Sequence, residues 1–390
     1  MLLSELPTPA VVIEKSRLEA NLRSMQDLAD AQGVALRPHT KTHKSVFIAS
    51  RQRELGAKGL TVAKLGEAET FAAAGFTDIR LAYALYGAEK YARLARLLPT
   101  CRVSFCVDTP EGALAASEFF AAEGEPVDVM IETDIGYHRC GVRWDRPESA
   151  AFALWVDSLP GLRVCGILTH AGHSYYGPQS EGETLADSLK RVSNLERDRM
   201  LEFAVSLRTA GVKAAVSGDL EISVGSTPSI RYLTNREHEG FKITEIRPGN
   251  YVFHDMTQVN LGVRGLESCA LTVHATVFSK HKNEDGSERL FIDSGKKVLT
   301  SDGAFRAEGY GQILYDAGNM VPMPHAVINA LSEEHGWVLV RGGSTLNVGD
   351  QVRVVPNHAC VVVNMQPHMF LVDGDEVLQT ILVDTQGRVV

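Results

Sequence analysis

From residue 10 to about 250 the chain alternates short β-branched apolar runs with longer stretches whose apolar positions recur every three or four residues. That alternation predicts βα units and a parallel sheet. The runs are Val11 to Ile13, Val34 to Leu36, Leu60 to Ala63, Ile79 to Tyr83, Val103 to Val107, Val127 to Glu132, Leu162 to Leu168 and Ala214 to Ser217, with another near Thr244 to Ile246. Eight or nine strands of this kind predict a closed (β/α)8 barrel. Between the first two, Ser16-Arg-Leu-Glu19 reads as a capping box, and Leu18, Leu22, Met25 and Ala29 share one helical face. A doubly wound open sheet fits the same pattern, but no Gly-x-Gly-x-x-Gly follows the first run, which counts against a dinucleotide fold.

Past residue 260 the helical period fades and the pattern becomes one of alternating strands, as in Ala270 to Phe278, Gln351 to Val355 and Val377 to Val383. This predicts a separate antiparallel β domain. Polar turns fall at His281 to Ser287 and at Asp373-Gly374. The expected division is a barrel over residues 8–260 and a β domain over residues 261–390 joined by residues 1–7. No internal repeat stands out beyond the βα alternation.

Composition narrows the class of function. The 390 residues are 44% hydrophobic and 22% charged, with a net charge of -9. The chain is long enough for two units, and its mild acidity with no basic block speaks against a nucleic-acid or membrane-surface partner. No apolar run reaches the roughly 18 residues of a membrane span, and the start lacks the basic and apolar regions of a signal peptide, so a cytosolic enzyme acting on a small molecule is expected. The six cysteines are scattered without a Cys-x-x-Cys pair, too sparse for a disulfide framework.

Barrel enzymes carry their chemistry at the C-terminal ends of the strands. There the sequence places Arg37-Pro-His-Thr-Lys41-Thr-His-Lys44, Gly136-Tyr-His-Arg139-Cys-Gly141, Thr169-His170-Ala-Gly-His-Ser-Tyr175, Ser223-Val-Gly-Ser226-Thr227-Pro-Ser229 and Glu245-Ile-Arg247-Pro-Gly249-Asn250. Each could be an ordinary surface loop. Gly-Ser-Thr is often a plain turn, yet it also offers the aimed N–H and hydroxyl donors that a phosphate needs. A phosphate site and a lysine at one barrel mouth suggest pyridoxal 5'-phosphate, whose aldehyde condenses with a lysine amine.

Arg-Pro-His-Thr-Lys-Thr-His-Lys resembles the cofactor-lysine motif of the fold-type III pyridoxal phosphate enzymes, in the branch of D-serine dehydratase, D-threonine aldolase and D-threo-3-hydroxyaspartate dehydratase. The resemblance runs from Thr8-Pro9-Ala10 through Glu334-His335-Gly336 to Pro356-Asn-His-Ala-Cys360. It implies that Lys41 carries the cofactor, with Lys44 a supporting or solvated charge. It further implies that Ser226, Thr227, Gly249 and Asn250 bind the phosphate and that Tyr175 contacts the cofactor. By the same likeness His170 packs on the pyridine ring, Arg139 lies near the phenolate, and Arg247 either faces the pyridine nitrogen or forms a structural salt bridge to an acidic neighbour. A homodimer is implied in the same way.

In His358-Ala-Cys360, residues i and i+2 of an extended segment would point to one face, so imidazole and thiolate could converge on a metal ion, Zn2+ before other divalent ions. The dehydratases of the branch resemble this sequence in carrying His-x-Cys there, whereas the aldolases carry His-x-Asp. Two protein ligands leave positions open for water and substrate. The remaining cysteines read as core thiols, Cys140 only adjoining Arg139. The resemblance thus implies elimination of the β-hydroxyl from a D-3-hydroxy amino acid such as D-serine, or D-threo-3-hydroxyaspartate, to a 2-oxo acid and ammonia. Rivals are retro-aldol cleavage of D-threonine, racemisation of alanine and a non-catalytic cofactor carrier. A metal pair has no purpose in racemisation, and the carriers lack the β domain.

Overall fold

The computed structural model describes residues 1–390, which divide into two compact units. Strand β1 (Ala10–Glu14) is buried along its whole length and runs directly into a helix, Lys15–Gln32. The helix begins one residue before Ser16, so Ser16 lies inside it and is not its cap. Its expected apolar face, Leu18, Leu22, Met25 and Ala29, is buried.

Residues 25–41, 49–249 and 387–390 form the barrel unit. Its strands are β2 (Ala35–Leu36), β3 (Leu60–Val62), β4 (Asp78–Ala84), β5 (Arg102–Val107), β6 (Val127–Asp134), the short β7 (Val142–Arg143) beside β6, β8 (Leu162–Leu168), β9 (Glu221–Val224) and β10 (Glu245–Ile246). They pair in the order β2-β10-β9-β8-β6-β5-β4-β3, all parallel. A parallel bridge between His39 and Thr61 joins the two ends and closes the barrel.

Two expected strands are corrected. Ala214 to Ser217 belongs to a helix, Lys213–Ser217, ended by Gly218 in the left-handed region. A run of four residues, three of them apolar, has no readable period, and its two alanines favour helix. The strand lies a few residues on, at Glu221–Val224. Val11 to Ile13 is a strand, but of the other sheet, because a fully buried run reads alike in either setting.

The barrel interior is charged rather than purely aliphatic. Arg80 Nη1 donates to Glu245 Oε1 at 2.6 Å and Arg80 Nε to Ser104 at 3.1 Å, while its Nη2 pairs with Glu221. Arg37 holds the other oxygen of Glu245 and grips Asp78 with both Nη atoms. A buried charge needs such pairing to offset its desolvation.

Residues 1–24, 42–48 and 250–386 form the second unit. After β1 it contains β11 (Leu271–Lys282), β12 (Glu288–Ile292), β13 (Gln312–Asp316), β14 (Val321–Pro322), β15 (Ala326–Leu331), β16 (Gly336–Val340), β17 (Gln351–Val355), β18 (His368–Asp373) and β19 (Glu376–Leu382). The order is β14-β13-β17-β11-β1-β18-β19, with β12 bridging β11 to β16, and β15 beside β16. Every pair is antiparallel except β1 with β18. The two expected turns join β11 to β12 and β18 to β19. Pairing of β1 with β11 and β18 draws the first residues of the chain into this unit. No helix is long and apolar enough to cross a membrane.

Candidate active site

In the barrel unit Lys41, Arg139, His170, Ser226, Arg247 and Gly249 all follow the C-terminal ends of their strands, as barrel chemistry requires. Lys41 sits in a 3-10 turn, Thr40–Thr42, with its side chain exposed. His170 Nδ1 lies 3.2 Å from the Gly225 carbonyl. Burial, then the charges of Lys41 and Arg139, push its pKa down to about 3. The ring is therefore neutral, and since a carbonyl only accepts, its proton sits on Nδ1.

Tyr137 meets His170 edge-on, with ring centroids 5.9 Å apart. Its ring occupies the space where a side chain at residue 172 would begin, 2.2 Å from a Cβ there, so any residue larger than Gly172 would displace the ring. Arg139 lies over the Tyr137 ring at 5.8 Å, and its Nη2 is 3.8 Å from Glu132 Oε1. The Cys140 thiol donates to that oxygen at 2.8 Å, and burial and Glu132 push its pKa up to about 11, so it stays protonated.

Arg247 is buried and bonds to the Ser223 hydroxyl and the Thr169 carbonyl, both neutral acceptors. The structural salt bridge allowed by the sequence is absent from these contacts. Burial lowers its pKa to about 10, which still leaves it charged at neutral pH. Ser226 bonds through its hydroxyl to Ser174 and Ser229, each at 2.9 Å. What Ser226 has to offer a phosphate is therefore its backbone N–H. Thr227 is buried beside it and Tyr175 is half-buried in the turn Gly172–Tyr175.

In the second unit, His358 and Cys360 do not lie on a strand. His358 is the extended N-cap residue of a helix, Ala359–Asn364, and Cys360 is on its first turn. Imidazole and thiol still interact, through helix-cap geometry rather than strand alternation. His358 Nδ1 is 2.7 Å from Asp302 Oδ2, which leaves Nε2 for a metal, the carboxylate–histidine–metal arrangement that fixes a ligating imidazole. Burial pushes the His358 pKa down, but Cys360, Asp255 and Asp302 outweigh it and hold the imidazole up at about 10. Such a set of imidazole, thiol and carboxylates has the charge and softness to take a zinc-like cation.

Around this pair the Cys360 thiol donates to Thr42 Oγ1 at 3.2 Å, and Thr42 directly follows Lys41 in the chain. Asp255, fully buried, accepts from Ala359 N at 2.9 Å and from Asn250 Nδ2 at 2.6 Å. It also caps its own helix by accepting from Gln258 N at 3.1 Å. Asn250 Nδ2 lies 3.8 Å from Cys360 Sγ. Lys44 is not solvated: it is buried, and its Nζ donates to the Thr385 carbonyl at 3.4 Å.

Sequence reasoning assigned no role to Tyr137 and Ser223, although both lie in motifs singled out at the strand ends, and it did not single out Asp302 or Asp255. Asp255-Met-Thr-Gln258 has the spacing of a helix cap and could have been noticed. Asp302, in Ser-Asp-Gly, gives no signal, because its importance comes from a contact 56 residues away.

A closed βα barrel with a lysine, a buried arginine and a Gly-Ser-Thr turn at its strand ends, followed by a β unit with an imidazole–thiol pair, defines the alanine racemase-like class of fold-type III enzymes. The chain belongs to this family: residues 13–256 match the alanine racemase N-terminal domain and residues 270–372 match a putative serine dehydratase domain. It is 37% identical over 387 residues to D-threo-3-hydroxyaspartate dehydratase of Delftia sp. (strain HT23), covering 96% of each chain. It is 31% identical over 378 residues to D-threonine aldolase of Arthrobacter sp, covering 95% of this chain and 91% of the relative. Among solved structures, a cysteine-to-alanine mutant of D-threo-3-hydroxyaspartate dehydratase in the metal-free form aligns with a TM-score of 0.85 at 34% identity, over 98% of both chains. The family is pyridoxal phosphate-dependent, and dehydratases and aldolases alike are lyases.

Proposed function

We propose that the protein is a pyridoxal phosphate- and zinc-dependent dehydratase that eliminates the β-hydroxyl of a D-configured 3-hydroxy amino acid, giving a 2-oxo acid and ammonia. The observation that carries this reading is the His358–Cys360 pair with Asp302 behind the imidazole, a cation site with a thiol where an aldolase of this branch would have a carboxylate. Replacement of a cysteine in the related dehydratase accompanies a metal-free form, in keeping with a thiolate ligand.

Lys41 would hold the cofactor, with Ser226, Thr227, Gly249 and Asn250 around its phosphate and His170, Tyr175, Arg139 and Arg247 around its ring. When bound, the cofactor supplies an electron sink for the charge developing at Cα. Lys41 Nζ would take the Cα proton. The neutral His170, its Nδ1–H committed to Gly225, gives the ring an uncharged face to pack against. Arg247, held by neutral acceptors, keeps its charge instead of spending it on a carboxylate.

His358 Nε2 and Cys360 Sγ would hold the metal, which when bound serves as a Lewis acid toward the departing hydroxyl, worth several kcal/mol in metal-assisted reactions. Asp302 would keep the imidazole ring in place. The chain is further proposed to work as a homodimer in the cytoplasm, which gel filtration with light scattering and cell fractionation test.

The deciding experiment offers the purified enzyme D-serine, D-threonine and D-threo-3-hydroxyaspartate, with and without a chelator, and identifies products by mass spectrometry. Two-oxo acids that disappear on chelation are expected. Glycine and an aldehyde would overturn the reading in favour of an aldolase, the activity named for the 31% identical relative.

A further inference from the structure

The segment Gly225 to Ser229 is tied from behind by one buried acid that the proposed chemistry does not use. Glu196, on the helix Leu185–Ala210, is 2% exposed. Its Oε1 accepts from Gly225 N at 2.8 Å and its Oε2 from the Ser229 hydroxyl at 3.1 Å. Ser229 passes the connection to Ser226, and Ser226 to Ser174. The Gly225 residue that Glu196 grips by its N–H offers its carbonyl to His170. Gly225 itself is fixed in place: its φ is +138°, and a Cβ there would lie 2.9 Å from Arg247 N.

We propose that Glu196 is a positioning residue for the cofactor, holding the Gly225–Ser229 loop in the shape that receives the phosphate and taking up a proton as the phosphate binds. This rests on the reading of Ser226 and Thr227 as phosphate-binding residues. The physical reason is charge. A carboxylate bonded to both ends of a loop that must accept a phosphate of charge near -2 is repelled by it, and in a buried site water does little to screen the repulsion.

The network can accommodate the proton. With Oε1 still accepting from Gly225, a protonated Oε2 donates to Ser229 Oγ, and Ser229 donates in turn to the Ser226 carbonyl, 3.3 Å away. Burial brings the carboxyl to about pH 7 against the pull of Gly225, Arg247, Ser229 and Ala171, so the proton is available near neutrality. The ionisable groups facing this network from adjoining segments are Arg247, charged up to about pH 10, and His170, neutral above about pH 3.

The test uses the full-length chain freed of cofactor and titrated with pyridoxine 5'-phosphate, which has no aldehyde and cannot link to Lys41. Measurements run from pH 6.5 to 8.5, above the second phosphate ionisation near pH 6. The wild-type Kd should rise roughly tenfold over that range, with proton uptake seen by calorimetry in buffers of different ionisation heat. Glu196→Gln, whose amide mimics the protonated acid, should match the wild type at pH 6.5 and vary less than about twofold thereafter. Glu196→Leu should bind at least tenfold more weakly at every pH. A flat wild-type profile, or a Glu196→Gln profile that follows the wild type, overturns the proposal. Thr227→Val separates the two readings: if it leaves the Kd unchanged, the phosphate assignment itself fails; if it weakens binding while the wild-type profile is flat, only the role of Glu196 fails.

Discussion

Replacing Glu245 with Gln should cost the enzyme about 3 kcal/mol of stability at neutral pH. The carboxylate is buried at the centre of the barrel, shared between Arg80 and Arg37, with the Ser223 hydroxyl also donating to it. Burial alone would raise its pKa. The two guanidinium groups outweigh burial and hold it at about 2, against an ordinary 4.5. At about 1.36 kcal/mol per pH unit, the gap between 4.5 and about 2 corresponds to about 3 kcal/mol. Removing one partner of a buried ion pair typically costs about 3–5 kcal/mol, which agrees. Because the folded-state pKa is depressed, the contribution is fully present above pH 4.5 and is lost as the pH falls from 4.5 toward 2. Urea unfolding followed by circular dichroism, on wild type and Glu245→Gln at pH 7 and again near pH 3, measures both limbs. The variant should be less stable by about 3 kcal/mol at pH 7, and the difference should shrink at pH 3. A loss below about 1 kcal/mol, or a difference that persists unchanged in acid, would mean that the Glu245 carboxylate is not held ionised by Arg80 and Arg37.

Other outcomes follow from the same geometry. Asp302→Asn should weaken zinc affinity about 10–100-fold in a competition with a chromogenic chelator, because the imidazole loses its orienting carboxylate. Gly225→Ala should retain cofactor at least tenfold more weakly in equilibrium dialysis, since its φ of +138° and the 2.9 Å approach to Arg247 leave no room for a methyl group. Lys41→Ala should abolish turnover and the visible absorbance of covalently held cofactor while leaving the far-ultraviolet circular dichroism unchanged.

Much of the barrel was legible because short apolar runs alternate with longer stretches of helical period, and five of the runs are followed by clusters of polar residues. Lys41, Arg139, His170, Ser226 and Arg247 fall where the pattern of runs puts them. What pattern could not separate was the setting of a fully buried strand: Val11 to Ile13 has the same all-apolar text in a parallel barrel as in the largely antiparallel sheet where it pairs with β11 and β18. The four residues at 214–217, three of them apolar, were too few to show a period, and they lie in a helix. The His358–Cys360 pair was found by residue type, yet the extended segment expected to align it is a helix cap. Asp302 and Glu196 were invisible because their roles depend on contacts between distant parts of the chain, and Asp255 offered only the spacing of a helix cap. A buried acid on a helix looks in sequence like any other polar position until its partners are known.

Metal-assisted elimination requires a working metal site at His358 and Cys360. Its most direct test is ammonia release from D-threo-3-hydroxyaspartate and D-serine by the cofactor-loaded enzyme, before chelation, after chelation and after zinc is restored, in wild type and Cys360→Ala. Wild-type activity should vanish with the metal and return with it, while Cys360→Ala keeps its cofactor absorbance and stays inactive at zinc concentrations that restore the wild type. Full ammonia release from the metal-stripped variant would contradict that requirement.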